Sequence, residues 1–389
     1  MKSYDCAIIG LGAVGSAAAF QLSKSGQKVI GFDKFSPPHT NGSSHGDTRI
    51  TRQAIGEGSV YSPIALLSNA IWREIETQTG EDLFTACGGL LFGPRDVKTT
   101  QHRKVDFLGE TIRAAEQYNV PHEVLDIDDL KRRFPQFCYE GNEFGYYEPG
   151  AGFLRPERCV QTQLELAKTL GATIHFDEAV LSIEPTGGDC GVRITTSSGE
   201  YFADAAVVSS GAWVQEFLPE NLKKHFQVFR QVLFWFEVEG EASLFSKERF
   251  PVYIRLGHHS DDMFYGFPAI DGPNGGIKVA AEQFEEATSA DNLQKEVSPS
   301  EIEAMVAHIK RYLPITNRCI RSAACLYTVT PDSDFVIDRL PDSPQIILAS
   351  PCSGHGFKHS AGIGKLLSEL VVRGETSLDI SSFNLRRLT

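Results

Sequence analysis

The sequence lacks any uninterrupted run of about 18 apolar residues, so it offers no predicted membrane span. The apolar stretch 7–20 follows Asp5, is interrupted by glycines and precedes no small-residue cleavage site, which argues against a secretion signal. The eight cysteines are scattered, with no CxxC pair and no metal-ligand spacing, as is typical of reduced thiols. We therefore expect a cytoplasmic protein without a metal site.

Positive charge is also scarce, since 37 Lys and Arg face 50 Asp and Glu and the net charge is −13. This balance argues against nucleic acid or an anionic membrane as the main partner. An anionic substrate would need a local basic site. The length of 389 residues, with 41% hydrophobic and 22% charged residues, excludes intrinsic disorder and suggests two or three domains.

The N-terminus carries a dinucleotide-binding pattern. Its parts are a strand over 4–9, the glycine-rich turn Gly10-Leu-Gly12-Ala-Val14-Gly15, a helix over Ser16–Lys24 and a strand over 28–32 that ends on Asp33. In such a unit Gly10 permits the tight turn, Gly12 lets a pyrophosphate approach, and Gly15 allows the helix to pack on the strand. Asp33 is placed to bind a ribose hydroxyl. Because strand, helix and acid agree, we predict a nucleotide site.

The remaining chain mixes helices and strands. We predict helices near 61–78, 105–118 and 156–170, strands at 88–93, 172–178, 191–196 and 200–208, mostly β structure over 226–238 and 251–284, and a final strand, glycine-rich turn and helix over 345–349, 353–356 and 359–373. Nucleotide-type elements thus lie at both ends, as in a two-domain flavoprotein. The expected fold class is α/β (α+β overall): a discontinuous Rossmann-like FAD-binding domain (1–86, 148–222 and 326–389) with an inserted mixed-β substrate domain (87–147 and 223–325).

Three stretches carry a family resemblance: Pro37 to Gly58, with His45-Gly-Asp-Thr-Arg49-Ile-Thr-Arg52; Ala323 to Asp338, with Cys325-Leu-Tyr327; and Cys352-Ser-Gly-His355-Gly-Phe-Lys358. Together with Tyr265-Gly-Phe-Pro268 and Lys278, they resemble the monomeric sarcosine oxidase family, which includes N-methyltryptophan oxidase and pipecolate oxidase. The resemblance implies a monomeric flavin oxidase that binds FAD covalently through a cysteine sulfur. It also implies oxidation of secondary amino acids to imines, with O2 reduced to hydrogen peroxide.

The resemblance also implies residues that bind the cofactor. Cys325 matches the cysteine that attaches the flavin, and its thiolate would be favoured by nearby cations. His45 and Arg49 are implied to stabilise negative charge beside the flavin. The full set of expected FAD contacts is Gly10, Gly12, Val14, Gly15, Asp33, Lys34, Ser43, Ser44, His45, Thr48, Arg49, Val180, Gly211, Cys325, Gly354, His355, Gly356, Phe357 and Lys358.

Further residues are implied to act on the substrate and on oxygen. Arg52 and Lys358 match the family's carboxylate clamp, in which the arginine fork binds two oxygens and the lysine adds a point charge. Lys278 matches a lysine where oxygen reacts, and its charge would stabilise superoxide. Tyr265 and Tyr327 match aromatic residues of the substrate pocket.

The sequence departs from the family pattern at three positions. Glu282 stands four residues after Lys278, where the relatives carry histidine, and similar spacing is found in the more distant fructosyl amino acid oxidases. On a strand that spacing places both side chains on one face, so Glu282 should point toward the pocket unless a bulge turns it to solvent. Ile55 replaces a common tyrosine and Ser44 a histidine. These changes put sarcosine itself in doubt as the substrate.

The resulting hypothesis is an FAD-dependent oxidase of secondary (N-methyl, N-alkyl or cyclic) α-amino acids. A first alternative is an oxidase of a bulkier substrate such as N-methyltryptophan, pipecolate or a fructosyl amino acid. A second is a biosynthetic imine-forming flavoenzyme on the same fold. A dehydrogenase that uses an electron carrier, a flavin-binding protein without turnover and an NAD-only dehydrogenase also remain open.

Overall fold

We describe the protein from a computed structural model that covers residues 3–96, 100–102, 104–187, 191–259, 262–272 and 274–388. Cys190, one of the eight cysteines, lies outside these residues. The helices are α1 Ala13–Lys24, α2 Tyr61–Thr79, α3 Phe107–Gln117, α4 Ile127–Arg133, α5 Pro156–Thr169, α6 Glu220–Lys223, α7 Pro299–Ile309 and α8 Ser360–Arg373. The strands are β1 Ser3–Ile9, β2 Val29–Phe32, β3 Arg49–Thr51, β4 Phe84–Thr85, β5 Gly89–Pro94, β6 Thr100–Gln101, β7 Lys104–Val105, β8 Glu123–Leu125, β9 Glu143–Glu148, β10 Gly152–Leu154, β11 Thr173–His175, β12 Val180–Pro185, β13 Val192–Thr196, β14 Glu200–Val208, β15 Gln227–Val238, β16 Val252–Arg255, β17 Phe264–Phe267, β18 Ile277–Ala280, β19 Ala287–Thr288, β20 Ile315–Val329, β21 Val336–Leu340 and β22 Ser343–Ser350.

The first large sheet has eight strands and contains the predicted N-terminal unit. Its main order is β11-β2-β1-β14-β13-β12, and β22 pairs with β14 and with β21. Strand β1 has parallel neighbours on both sides, β2 and β14. Cys6 and Ile8 pack into one hydrophobic core and Ala7 and Ile9 into another, so both faces of β1 are covered. This double burial explains why the strand reads as a continuous apolar run.

Helix α1 packs against α5 and α8 on one face of this sheet. The sequence predicts that it begins at Ser16, but it begins at Ala13, directly after Gly12. Small side chains allow α1 and α8 to pack very closely, since a Cβ built on Gly364 of α8 would lie 2.5 Å from the Cβ of Ala17 in α1. Because β1 ends at Ile9 and α1 begins at Ala13, the N-terminus of α1 lies at the carboxyl end of β1. Parallel sheets of this type bind ligands at that end.

The second large sheet has nine strands and is mostly antiparallel. Its order is β19-β15-β18-β17-β16-β5-β9-β8, and β20 pairs with β15 along most of its length. In this register Cys325 lies opposite Gln231 of β15, and Lys278 of β18 lies opposite Trp235. Because residues 231 and 235 share one face of a strand, Cys325 and Lys278 lie on the same face of the sheet.

The predicted fold class is confirmed. N-terminal, central and C-terminal parts of the chain together form one Rossmann-like sheet, and the segments between them form the mixed-β sheet. The helices predicted near 61–78, 105–118 and 156–170 are α2, α3 and α5. The sequence reading missed α4, α7 and the long strand β20. The division into two domains stays a prediction, and β20 crosses its boundary at 325/326. Within the described ranges, no helix is long and apolar enough to cross a membrane.

Candidate active site

A cavity of about 360 Å³ opens at the carboxyl ends of β1 and β2; we call it the larger cavity. Most of the residues predicted to contact FAD line it. They are Gly10, Gly12, Val14, Asp33, Lys34, Ser43, Ser44, Arg49, Val180, Gly211, Gly354, Gly356 and Phe357. Of the other six, Gly15 packs beneath the turn, and Thr48, His45, Cys325, His355 and Lys358 lie toward the second sheet or a neighbouring smaller cavity.

The three glycines of the turn have different surroundings. Gly10 has φ +86°, and a Cβ there would lie 2.7 Å from the Cα of Ser210. A Cβ on Gly15 would lie 1.8 Å from the carbonyl oxygen of Gly10, so only glycine lets α1 start this close to the strand. At Gly12 the nearest atom would be the Ser44 hydroxyl oxygen, 3.6 Å away. The backbone at Gly12 therefore borders open space, which is part of the larger cavity.

Asp33 holds this turn through backbone hydrogen bonds. Its Oδ2 accepts from the amide of Leu11 at 2.8 Å, and its Oδ1 accepts from the amide of Phe35 at 2.9 Å. Each carboxylate oxygen keeps a further lone pair, so the residue can still accept a hydrogen bond from a bound molecule.

Several buried polar atoms around the larger cavity have no hydrogen-bond partner among the described residues. They include the hydroxyls of Ser210 and Thr328, which line the cavity, and Nε2 of His45. Burial, together with the charges of Arg49 and Lys278, lowers the pKa of His45 to about 3. His45 is therefore neutral at pH 7, and it can stabilise negative charge through a hydrogen bond. Unpartnered buried polar atoms of this kind fit a polar ligand.

The smaller cavity, about 70 Å³, adjoins the larger one and shares Arg49, Tyr327, Gly354 and Phe357 with it. The other predicted residues on its wall are Thr48, Arg52, Tyr265, Lys278, Glu282, His355 and Lys358. Residues from both ends of the chain and from the middle thus meet in one place. The hydroxyls of Tyr265 and Tyr327 lie 3.1 Å apart, which joins β17 to β20 at this wall.

Arg52 and Lys358 converge on one carboxylate, that of Glu57. Nη2 of Arg52 donates to Oε2 of Glu57 at 2.7 Å, and Nζ of Lys358 lies 3.6 Å from Oε1. Burial raises the pKa of Glu57, but the two cations outweigh burial and hold it well below its usual range. Burial lowers the pKa of Lys358 to about 8, although Glu57 opposes that effect. The two cations can therefore share a single carboxylate.

Lys278 is buried, and its ammonium group has three acceptors. Nζ donates to the carbonyls of Gly46 and Thr48 at 2.7 and 2.8 Å and to the Thr48 hydroxyl at 3.1 Å. Burial and the charge of Arg49 lower its pKa well below the usual lysine value. The three acceptors match the three donors of a protonated lysine.

Cys325 is fully buried beside Lys278, Leu233 and Trp235. Burial raises its pKa, and the cations Arg49 and Lys278 oppose burial without overcoming it. The nearby cations favour the thiolate, as expected, but dehydration of the thiol has the larger effect on its pKa.

Glu282 faces the smaller cavity and not the solvent. Its side chain is 6% exposed, and its Oε1 lies 3.1 Å from Nε2 of His102. Strand β18 ends at Ala280, so strand alternation does not reach Glu282. Its direction is set by the chain after the strand and by contact with His102.

Two residues of this site were missed by the sequence reading. Glu57 lies in the stretch Pro37 to Gly58 that carries the family resemblance, and the nearby Arg52 could have suggested an acidic partner. His102 had no usable signal, because it lies in a segment without a clear pattern and its partner Glu282 is 180 residues away.

Comparison with known proteins identifies the family. The model of the DAO family, described as FAD dependent oxidoreductase, matches residues 5–370. The chain belongs to the FAD dependent oxidoreductase family. FAD dependence follows from membership, and it agrees with the unpartnered polar atoms and the open space at Gly12 in the larger cavity.

This FAD dependent oxidoreductase has relatives along its whole length. It is 38% identical over 388 residues to the monomeric sarcosine oxidase of Streptomyces avermitilis, covering 99% of this chain and 98% of the relative. It is 35% identical over 392 residues to the N-methyl-L-tryptophan oxidase of Salmonella heidelberg, covering 99% of each. The resemblance stated from the sequence is thus confirmed.

Solved structures with the same fold are more distant in sequence. The chain matches NikD, an unusual amino acid oxidase essential for nikkomycin biosynthesis, with a TM-score of 0.82, 20% identity and coverage of 99% and 98%. It matches the fructosyl amine:oxygen oxidoreductase Amadoriase I of Aspergillus fumigatus with a TM-score of 0.74, 16% identity and coverage of 98% and 89%. At these identities the likeness shows the fold of this FAD dependent oxidoreductase.

Proposed function

We propose that this protein oxidises secondary α-amino acids to imines with FAD and passes the electrons to O2, giving hydrogen peroxide. The observation that carries the proposal is the pair of Arg52 and Lys358 on the wall of the smaller cavity, where two positive charges face the single negative charge of Glu57 and leave an excess for a second carboxylate. A pair of buried cations is the chemistry that captures the carboxylate of an amino acid. Bound FAD supplies the acceptance of two electrons from the substrate and their transfer to oxygen.

Several residues of the larger cavity are placed to hold FAD. The space at Gly12, beside the N-terminus of α1, suits a diphosphate, since backbone amides and the helix dipole favour negative charge there. The remaining lone pairs of Asp33 suit a ribose hydroxyl. Cys325 is the residue we assign to covalent attachment, in line with the Cys325-Leu-Tyr327 motif and the neighbouring cations Arg49 and Lys278.

The protein residues divide the remaining work. Arg52 and Lys358 bind and orient the substrate carboxylate, and the hydroxyls of Tyr265 and Tyr327 border the substrate. The substrate amine must be neutral to react, so its own proton has to leave before the oxidation. Lys278 provides positive charge where O2 is reduced, and that charge stabilises an anion formed from a neutral molecule.

A second candidate is the oxidation of a bulkier or more polar secondary amine, such as a fructosyl amino acid. The observation that favours it is Glu282, which faces the smaller cavity where its carboxylate could accept hydrogen bonds from substrate hydroxyls. We also propose a monomer in the cytoplasm. In support, the cysteines of the described ranges are all free, as in a reducing compartment.

A panel assay tests the proposed function. Hydrogen peroxide release is measured with sarcosine, N-methyltryptophan, pipecolate, proline and fructosyl-glycine, and primary amino acids serve as controls. We expect peroxide from at least one secondary amino acid and little from glycine. If none of the panel releases peroxide from a flavin-loaded protein, the assignment as an oxidase of these substrates is wrong.

A further inference from the structure

His102 lies at the centre of the smaller cavity's charged wall, although neither its sequence segment nor the proposed function assigns it a role. It stands between β6 and β7, and its side chain is only 6% exposed. Nε2 lies 3.1 Å from Oε1 of Glu282, and Nδ1 lies 3.4 Å from Oε1 of Glu57. Its ring also packs against His355 at 4.9 Å between centroids.

The charge of His102 determines whether Glu282 can attract a positive charge on the substrate. Each ring nitrogen faces a carboxylate oxygen, and only the protonated imidazole donates from both nitrogens. Burial lowers the pKa of His102, but Glu282 and Glu57 outweigh burial and raise it to about 9. At pH 7 Glu282 is therefore already paired with a cation of the protein. A second positive charge on the substrate is not needed there and would meet His102.

The space beside His102 is narrow. The smaller cavity measures about 70 Å³, about a fifth of the larger one. A Cβ built on Gly354 would lie 2.8 Å from Oε1 of Glu282 and 3.1 Å from Nε2 of His102, so the two side chains fill the wall up to the backbone. Removal of the imidazole would open the cavity along this wall and leave Glu282 without its cation.

We propose that His102 is a specificity-determining residue: its imidazolium fills the wall beside Glu282 and neutralises it, so the site selects secondary amino acids with small uncharged substituents. The inference rests on the proposed function and names its substrate class as one the size of N-methylglycine. Long side chains are excluded by volume, and cationic side chains are excluded by charge.

The test compares three variants of the FAD-loaded enzyme with three substrates. The variants are His102→Ala, which removes volume and charge, His102→Gln, which keeps length and hydrogen bonding without charge, and His102→Ala combined with Glu282→Gln. The substrates are sarcosine, Nα-methyl-L-norleucine and Nα-methyl-L-lysine. His258→Ala, on an exposed loop, is the matched control. The measured quantities are kcat and KM for peroxide release, with flavin absorbance as the check on folding.

We expect the wild-type enzyme to prefer sarcosine. In His102→Ala, kcat/KM for both long substrates relative to sarcosine should rise about tenfold or more, mainly through KM. The lysine derivative should gain more than the norleucine derivative, and that extra gain should disappear in the double variant. His102→Gln should raise only the lysine-to-norleucine ratio. Unchanged substrate ratios in His102→Ala, or an equal loss with all three substrates, would overturn the proposal.

A binding measurement separates this inference from the proposed function. Acetate, hexanoate and 6-aminohexanoate are titrated into the FAD-loaded proteins, and the visible absorption change reports their dissociation constants. If His102 limits the cavity, hexanoate and 6-aminohexanoate gain affinity in His102→Ala and acetate does not. These dissociation constants can be measured even if the protein turns over no secondary amino acid. Equal affinities in wild type and variant for all three carboxylates would reject the role of His102 while leaving the peroxide assay unaffected.

Discussion

At the scale of single residues, Lys278 combines complete burial with three hydrogen-bond acceptors. A positive charge about 4 Å from a nascent superoxide is worth about 4 kcal/mol at an effective dielectric constant of 20, or at most about a thousandfold in rate. We predict that Lys278→Met leaves flavin reduction by substrate nearly unchanged and slows reoxidation by O2 up to that limit. Stopped-flow absorbance measures both steps. Equal slowing of the two steps would show that Lys278 has a different role.

The pKa of Lys278 gives a pH dependence with a defined sign. Because burial and Arg49 lower this pKa, Lys278 loses its proton at a lower pH than an exposed lysine does. The rate of reoxidation by O2 should therefore fall as the pH rises, and the fall should come at a lower pH than the ordinary lysine pKa. The Lys278→Met variant should not show this fall, since it has no proton to lose. Parallel pH profiles in wild type and variant would contradict the assignment.

Cys325 is tested by the fate of the flavin after denaturation. If the cofactor is attached through the sulfur of Cys325, as proposed, acid precipitation of the wild-type protein should leave the yellow colour in the pellet. In Cys325→Ser, we expect the flavin to appear in the supernatant. Cys352→Ser is a suitable control, because Cys352 is a thiol that lines the larger cavity and whose pKa is likewise raised by burial. Retention of flavin in the Cys325→Ser pellet would place the attachment elsewhere.

Single residues differ in how well the sequence predicted them. Lys278, Cys325 and Arg52 lie in stretches that resemble a known family, and they meet around the two cavities. The pKa shifts of Lys278 and Cys325 could not be predicted, because they depend on burial created by distant segments. His102 was unpredictable for the same reason, since its place is defined by Glu57 and Glu282.

At the scale of elements, the chain after β3 is fixed by a buried carboxylate on β9. Glu148 accepts from the amides of Gln53 and Ala54 at 2.8 and 3.3 Å and from the Tyr146 hydroxyl at 2.8 Å. Arg52 in turn donates to the carbonyl of Ala54. Glu148 therefore positions the segment that carries one half of the proposed carboxylate clamp.

Replacement of Glu148 tests this positioning role. In Glu148→Gln the amide NH2 group would face a backbone N–H, leaving a buried donor unpaired at a cost of about 1–3 kcal/mol. We predict a lower Tm and weaker acetate binding to the FAD-loaded protein. Tyr146→Phe removes one donor but keeps the carboxylate, so its effect should be smaller. Unchanged acetate affinity in Glu148→Gln would mean that Arg52 holds its position without this support.

The elements also show where sequence patterns succeed. The β1–α1–β2 unit was predicted to within about three residues at each boundary because its glycines, apolar runs and terminal acid are all local signals. Helix α7 has an equally local signal, a capping box formed by Ser298 and Glu301, which the sequence reading passed over. Strand β20 was missed because half of its residues are polar or exposed, and its length is set by pairing with β15.

At the scale of the whole molecule, a chain of net charge −13 gathers four basic residues, Arg49, Arg52, Lys278 and Lys358, around one small cavity. From the acidic composition we expected such a local basic site for an anionic substrate, and the carboxylates of Glu57 and Glu282 lie on the same wall. Separate elements supply this site jointly, since Arg52 follows β3 of a three-stranded sheet with β10 and β4, Lys278 belongs to β18 of the nine-stranded sheet, and Lys358 precedes α8. No single segment of the sequence could have revealed this basic site.

In the proposed reaction, electrons pass from a secondary amino acid in the smaller cavity to FAD and then to O2. The most direct test is an anaerobic titration of the flavin-loaded protein with sarcosine or the best substrate of the panel, followed by admission of O2. We predict that the visible flavin absorbance is lost on addition of the amino acid and returns with O2, with one peroxide formed per flavin. A flavin that no secondary amino acid reduces under these conditions would contradict the account.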